Sequence, residues 1–236
     1  GNLFPESWRD NADAMYGIDL PDNPTPPAEA AAPDLLISLS AELEEKPVLV
    51  ALGPMTNLAL ALQSDPGFAG RIERIVAMGG AFEVPGNVGD SNPGDLNTVA
   101  EWNIYCDPEA ADSVVRSGIP ITFVPLDATN DVPVRMKFFT ALGADQTTPQ
   151  AQIVYQVLSN VRSPGWYLWD PLAAAATFDE DVVTIEERQV VVETEQGPEY
   201  GFTRPVEDGG TSVRIATGAD ADRFEELLLE VLNGRY

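Results

Sequence analysis

Short apolar runs, each closed by glycine or small polar residues and followed by a helical pattern, recur along this chain and restrict its fold more than any other feature. Pro47 to Leu52 (PVLVAL) is continuous and apolar, the pattern of a strand buried on both faces. Gly53-Pro54 breaks it, and Thr56 can cap a helix carrying Leu58, Leu60 and Leu62. Upstream, Pro21 to Pro33 is a Pro/Ala-rich loop leading to a helix over roughly Asp34 to Glu44. Ile72 to Met78 is strand-like and ends in Gly79-Gly80, Pro108 to Ser117 reads as a helix, and Ile121 to Val124 as the next strand. Helical patterns follow at Val134 to Leu142, Ala151 to Val161 and Asp170 to Thr177. Glu187 to Thr194 and Ser212 to Ala216 read as late strands, and Asp220 to Leu232 as an amphipathic closing helix. Strands alternating with helices predict an α/β fold with a mainly parallel sheet, one domain over residues 1–236.

That arrangement locates a site before any residue is assigned a role. In open α/β sheets, ligands bind beyond the carboxyl ends of the strands. GPMTN (53–57), MGGAF (78–82) and LDATN (126–130) each follow an expected strand. Any one of them reads more readily as a plain turn. Three on one sheet edge point to a ligand.

Composition narrows the chemistry. The chain has no histidine, which removes the commonest general base and metal ligand. Cys106 is the single cysteine, so neither an internal disulfide nor a multi-cysteine metal site is possible. With 38 acidic and 13 basic residues, the formal net charge is −25, which repels phosphate backbones and anionic lipid. Nucleic-acid and membrane partners are therefore not expected, and no apolar run approaches the roughly 20 residues of a membrane span. Only Lys46 and Lys137 are lysines, and an acid-rich, lysine-poor surface suits a salt-rich, halophilic cytoplasm. Gly1 to Asp10 shows no signal-peptide pattern, consistent with a cytoplasmic location.

Two acidic positions stand out within AEWNIYCDPEAA (100–111) and WDPLAAA (169–175). Glu101 and Asn103 are two residues apart and would share a face if that segment were extended. A carboxylate beside an amide can grip the vicinal hydroxyls of a sugar. The plainer reading is a solvated acid and a turn former. Asp170 falls where a helix begins, so its plain alternative is an N-cap.

These two motifs occur together with ALGPMTNLALAL (51–62), IVAMGGAF (75–82) and VPGN (84–87). In order and approximate spacing the set resembles the inosine-uridine-preferring nucleoside hydrolases over nearly the whole chain. The resemblance implies a Rossmann-like nucleoside hydrolase fold and hydrolysis of purine ribonucleosides by a Ca²⁺-bound water, in a homodimer or homotetramer; the alternatives are a broader inosine-uridine hydrolase and a catalytically dead nucleoside-binding remnant. It implies that Glu101 and Asn103 bind ribose and favour its distortion toward an oxocarbenium-like transition state. Asp170 becomes a calcium ligand and ribose hydroxyl acceptor, with the Thr56 carbonyl on the same ion, since hard oxygens suit Ca²⁺. Asn87 is assigned to the 5′-hydroxyl, with Asn97 as the rival, and Met78 lies under the ribose. Trp166 and Tyr167 are assigned to a mobile lid, and Cys106 is read as buried and inert.

The chain departs from the family pattern at two places. Many members carry histidine just before the aspartate, where this chain has Trp169. The purine-specific branch is similar here and also has F-x-x-x-W, as at Phe4 to Trp8. There two tryptophans sandwich the purine, and a base stacked on an aromatic ring is worth roughly 1–3 kcal/mol. Trp169 and Trp8 are thus expected to help the base leave, with Phe4 beside it, although plain core packing is the alternative for both tryptophans. The second departure is that nothing matches the D-x-D-x-G-x-D-D segment with which the family opens and whose aspartates bind calcium. The expectation is a fold that is N-terminally incomplete relative to the family, with weak calcium binding and negligible hydrolysis by residues 1–236 alone.

Overall fold

The computed structural model describes residues 6–18, 20, 24–91, 96–161 and 166–236. Its sheet contains β1 (Val48–Ala51), β2 (Arg74–Met78), β3 (Ile121–Val124), β4 (Val183–Val192), β5 (Thr203–Val206) and β6 (Thr211–Ala219), in the spatial order β1-β2-β3-β6-β4-β5. The pairs β1/β2, β2/β3 and β3/β6 are parallel, whereas β4 runs antiparallel to both β6 and β5. Helices lie on both faces, as the continuous apolar runs require. Ile75 and Ala77 of β2 pack with Phe123, the helix Thr56–Ser64 and the helix Pro108–Val115. Val76 and Met78 point the other way and pack with Val124, Phe138, Leu172 and Phe224. The period-2 alternation of a strand explains why neighbours along one run join two different cores.

The expected elements are present, with four instructive differences. The helix expected over Asp34 to Glu44 spans Ala32–Glu42, because Pro33 is accepted in its first turn. Met55, not Thr56, occupies the cap position of the next helix, and Thr56 Oγ1 donates instead to Asp107 Oδ2. β5 has no counterpart in the sequence reading. Its TRPV sequence holds Pro205, which an edge strand tolerates because one side of its backbone needs no partner. Finally, Trp166 and Tyr167, assigned to a lid, are paired through their backbone with residues 132–134. Val134 N donates to the Trp166 carbonyl at 2.9 Å, and Leu168 N to the Val132 carbonyl at 2.9 Å, around a Pro133–Tyr167 bridge. Among the described residues no helix is long and apolar enough to cross a membrane.

Candidate active site

The chain leaves β2 through Gly79-Gly80-Ala81, with Gly80 at a φ of +92°, a conformation that L side chains rarely adopt. This turn aims the Gly80 N–H at Glu101, which is 2 % exposed. Glu101 Oε2 accepts from Gly80 N at 3.0 Å and Ile104 N at 3.2 Å, while Oε1 accepts from Asn103 N at 2.9 Å. Glu101 is therefore the cap of the short helix Trp102–Cys106, and Asn103 sits in its first turn. The extended segment expected from the sequence is present only at Glu101 itself, because its carboxylate captures the next two free N–H groups. Both side chains still reach the chain around the end of β2, Glu101 at Gly80 N and Asn103 at the Met78 carbonyl, by helix capping and not by strand alternation.

Burial pushes the Glu101 carboxyl up to about 7; the three backbone N–H groups pull it down, and the negative charge of Asp170 adds to the rise. Between pH 4.5 and about 7 the folded chain thus keeps a proton that the unfolded chain has released. This group makes stability fall as pH rises through that window and then level off. Comparing unfolding free energies of the parent and Glu101→Gln isolates the contribution. Their difference is expected to shift by roughly 3 kcal/mol across the window, and a difference independent of pH would contradict it.

Asn103 Nδ2 donates to the Met78 carbonyl at 3.1 Å and to Met78 Sδ at 3.3 Å. Met78 is buried at the end of β2, so the structure brings Met78, Glu101 and Asn103 into one cluster. Asp170 lies in the first turn of the helix Trp169–Ala175 but does not cap it: Leu168 holds the cap position, without a side-chain bond. Asp170 is half-buried, burial raises its pKa, and no hydrogen bond from the described residues reaches its carboxylate. The capping alternative is therefore removed. A partly dehydrated carboxylate beside a second one has been left available.

Asn87 and Asn97 separate cleanly. Asn97 is 3 % exposed and spends its side chain on the loop, donating to the Tyr200 carbonyl at 2.7 Å and accepting from Val99 N and Ala100 N at 3.1 and 2.9 Å. Asn87 Oδ1 accepts from Trp102 N at 2.8 Å, which places it beside the Glu101 segment. Trp169 is half-buried against the Val76/Met78 cluster, its ring 5.5 Å from that of Tyr167 and tilted by 42°. Phe4 and the side chain of Trp8 lie outside the described residues, so the expected second wall of a base sandwich is not placed. Cys106 is half-buried, not fully buried; burial, then Glu101 and Asp107, lift its thiol to about 11, which keeps it protonated and unreactive.

The family model for inosine-uridine preferring nucleoside hydrolases matches residues 7–226. The chain belongs to that family. It is similar to the pyrimidine-specific ribonucleoside hydrolase RihA of Klebsiella pneumoniae, 35% identical over 205 residues, which is 82% of this chain and 63% of the relative. RihA of Escherichia coli is 34% identical over the same share. The chain thus spans less than two thirds of the length of these relatives. Among solved structures, the inosine-uridine preferring nucleoside hydrolase from Bacillus anthracis superposes with a TM-score of 0.85 at 30% identity, covering all of this chain and 77% of that one. The purine-preferring ribonucleoside hydrolase from Gardnerella vaginalis gives 0.81 at 29% identity, covering 94% and 72%. The fold is that of the nucleoside hydrolases, as the motifs implied. Kinship with the purine-specific branch is not supported, since the relatives named first are pyrimidine-specific.

A nucleoside hydrolase of this family is expected to hold calcium, and the described residues do not suffice for it. No group of three or more His, Cys, Asp or Glu gathers among them to hold a metal ion. Calcium takes six to eight oxygens, and Asp170 is the one unpartnered carboxylate of the cluster. Thr56 does not join it through its side chain. Its hydroxyl is committed to Asp107, the cap of the helix Pro108–Val115, in a groove between two surface helices.

Two residues that tie down the loops beside this cluster are not singled out by the sequence. Asp127 accepts from Phe82 N at 2.9 Å and Glu83 N at 2.8 Å, tying the loop after β3 to the loop after β2. Its motif, LDATN, was visible, but the partner loop was not. Thr203, 1 % exposed, accepts from Ala81 N at 3.0 Å and donates to the Ala81 carbonyl at 3.1 Å. A partner 122 residues away leaves no local signal.

Proposed function

We propose that this chain carries the ribose-binding face of a ribonucleoside hydrolase that releases free base and ribose. One observation carries the reading: Glu101, joined to Met78 and Asn103 through the turn after β2, and Asp170, whose charge Glu101 feels, are both dehydrated, and no hydrogen bond from the described residues reaches the Asp170 carboxylate. A carboxylate offers about four acceptor positions, and Glu101 has three filled by backbone N–H groups. Its remaining position and both oxygens of Asp170 accept from vicinal hydroxyls of ribose. Asn103 and Asn87 orient the ring over Met78. In hydrolysis the C1′–N bond breaks with its electron pair going to the base, which gains a proton, and the water oxygen bonds to C1′. The ring becomes cationic on the way, and fixed carboxylate oxygens favour that charge over the neutral ground state.

Base selectivity is read from Trp169. Its ring, backed by Tyr167, offers a stacking surface beside Asp170, which favours a purine because the larger ring stacks over more area. A second reading, pyrimidine preference, is favoured by the RihA relatives. Turnover of inosine against uridine separates the two. Stacking also predicts a substrate-dependent loss. Trp169→Ala should lower kcat on the favoured natural nucleoside by on the order of 10-fold or more, about what 1–3 kcal/mol of stacking supplies. An aryl riboside whose leaving group needs no protonation should lose much less. Equal losses on both substrates would reduce Trp169 to packing.

A further inference from the structure

We infer that Thr203, on the antiparallel edge strand β5, is a positioning residue that fixes the Gly79-Gly80-Ala81 turn and, through it, the orientation of Glu101. The inference rests on the hydrolase reading for its kinetic arm only. The Gly80–Ala81 peptide is gripped from two sides: the Gly80 carbonyl accepts from Leu126 N at 2.9 Å, and Ala81 N donates to Thr203 Oγ1 at 3.0 Å. The same hydroxyl donates back to the Ala81 carbonyl at 3.1 Å. With that peptide plane held between the end of β3 and β5, Gly80 keeps its φ of +92° and its N–H keeps its aim at Glu101 Oε2.

The space around the turn agrees. A Cβ on Gly80 would stand 3.1 Å from Thr203 Oγ1, and one on Gly79 would stand 3.4 Å from Glu101 Oε2. The turn is thus clamped between the hydroxyl and the carboxylate. The hairpin carrying Thr203 is also fastened to the segment leading into Glu101, because the Tyr200 carbonyl accepts from Asn97 Nδ2 at 2.7 Å. The antiparallel hairpin therefore holds both pieces of backbone that direct the Glu101 carboxylate. Removing the hydroxyl leaves two buried backbone groups of Ala81 without a partner, and the peptide must rotate to satisfy them.

Thr203→Val keeps the shape and deletes the hydroxyl, whereas Thr203→Ser keeps the hydroxyl. Thr203→Cys serves as the second weakened variant if the valine protein does not fold. Hydrogen exchange of the Gly80 and Ala81 amides is expected to quicken by about tenfold or more in Val or Cys relative to the β2 amides, and to stay near the parent rate in Ser. In turnover, kcat should fall by roughly 10- to 100-fold in Val with KM changed less than about threefold, and Ser should recover most of it. Unchanged Gly80 exchange in a folded Val or Cys protein overturns the inference, as does a Ser variant that loses as much kcat as Val. Turnover is read on the chain joined to the family's D-x-D-x-G-x-D-D segment, with calcium; if that parent turns over no ribonucleoside, the hydrolase reading fails, and the exchange measurement alone decides on Thr203.

Discussion

Asp170→Asn is expected to lower kcat/KM for ribonucleoside hydrolysis by on the order of 10²–10³, the usual cost of deleting one electrostatic contact to a transition state, without loss of stability. The two halves of this expectation come from one observation. No hydrogen bond from the described residues depends on the Asp170 carboxylate, and burial raises its pKa. A raised carboxyl pKa means that the folded state disfavours the charge, so the native fold carries a penalty at every pH above the ordinary range of the group. Asparagine keeps the shape and removes the charge. Its thermal midpoint near neutral pH should equal or exceed that of the parent while activity collapses. A midpoint that drops together with activity would make Asp170 a structural residue and weaken the site as described.

Gly86→Ala is expected to act in the opposite way, costing more than about 3 kcal/mol of stability, at the high end for single substitutions. A Cβ there would stand 2.1 Å from the Ala100 carbonyl oxygen and 2.5 Å from its nitrogen and carbon. These are backbone atoms, so no side chain can swing aside. Gly86 N donates to the Thr98 carbonyl at 2.8 Å and Asn87 N to the Ala100 carbonyl at 3.1 Å, and both bonds must lengthen to admit a methyl group. Because Asn87 holds Trp102 N, the displacement reaches the residue after Glu101. Gly53→Ala is the control, since a Cβ at Gly53 meets nothing within 4 Å. Urea midpoints should separate the two variants widely; similar midpoints would contradict the close approach.

What the sequence made legible follows from how each feature is encoded. β2 and β3 are buried on both faces, so their apolar runs are continuous and Ile121–Val124 is recovered to the residue. β4 starts at Val183, earlier than expected from Glu187, because its first half alternates with exposed positions and blurs the apolar signal. Glu101 and Asn103 were identifiable as a pair by residue type, but the geometry that joins them was not. A glutamate capping a five-residue helix is a tertiary arrangement that needs the Gly80 turn to complete it. Thr56 drew attention as a helix cap, yet Asp107, 51 residues away, competes for its hydroxyl and wins. Thr203 was illegible for the same reason, since hydrogen bonds between distant segments leave no period in the sequence.

A dehydrated pair of acidic side chains is proposed to grip the vicinal hydroxyls of ribose so that water can displace the base. The chain joined to the family's D-x-D-x-G-x-D-D segment, with calcium, is assayed on inosine and uridine in phosphate-free buffer for free base and reducing sugar together, with the 2′-deoxy nucleosides alongside. Base and ribose are expected in equal amounts, with a rate on the 2′-deoxy nucleosides lower by about tenfold or more, since a lost hydrogen bond to a charged group is worth about 1.5–3 kcal/mol. Equal rates on ribo- and 2′-deoxyribonucleosides, or base released only once phosphate is added, would contradict it.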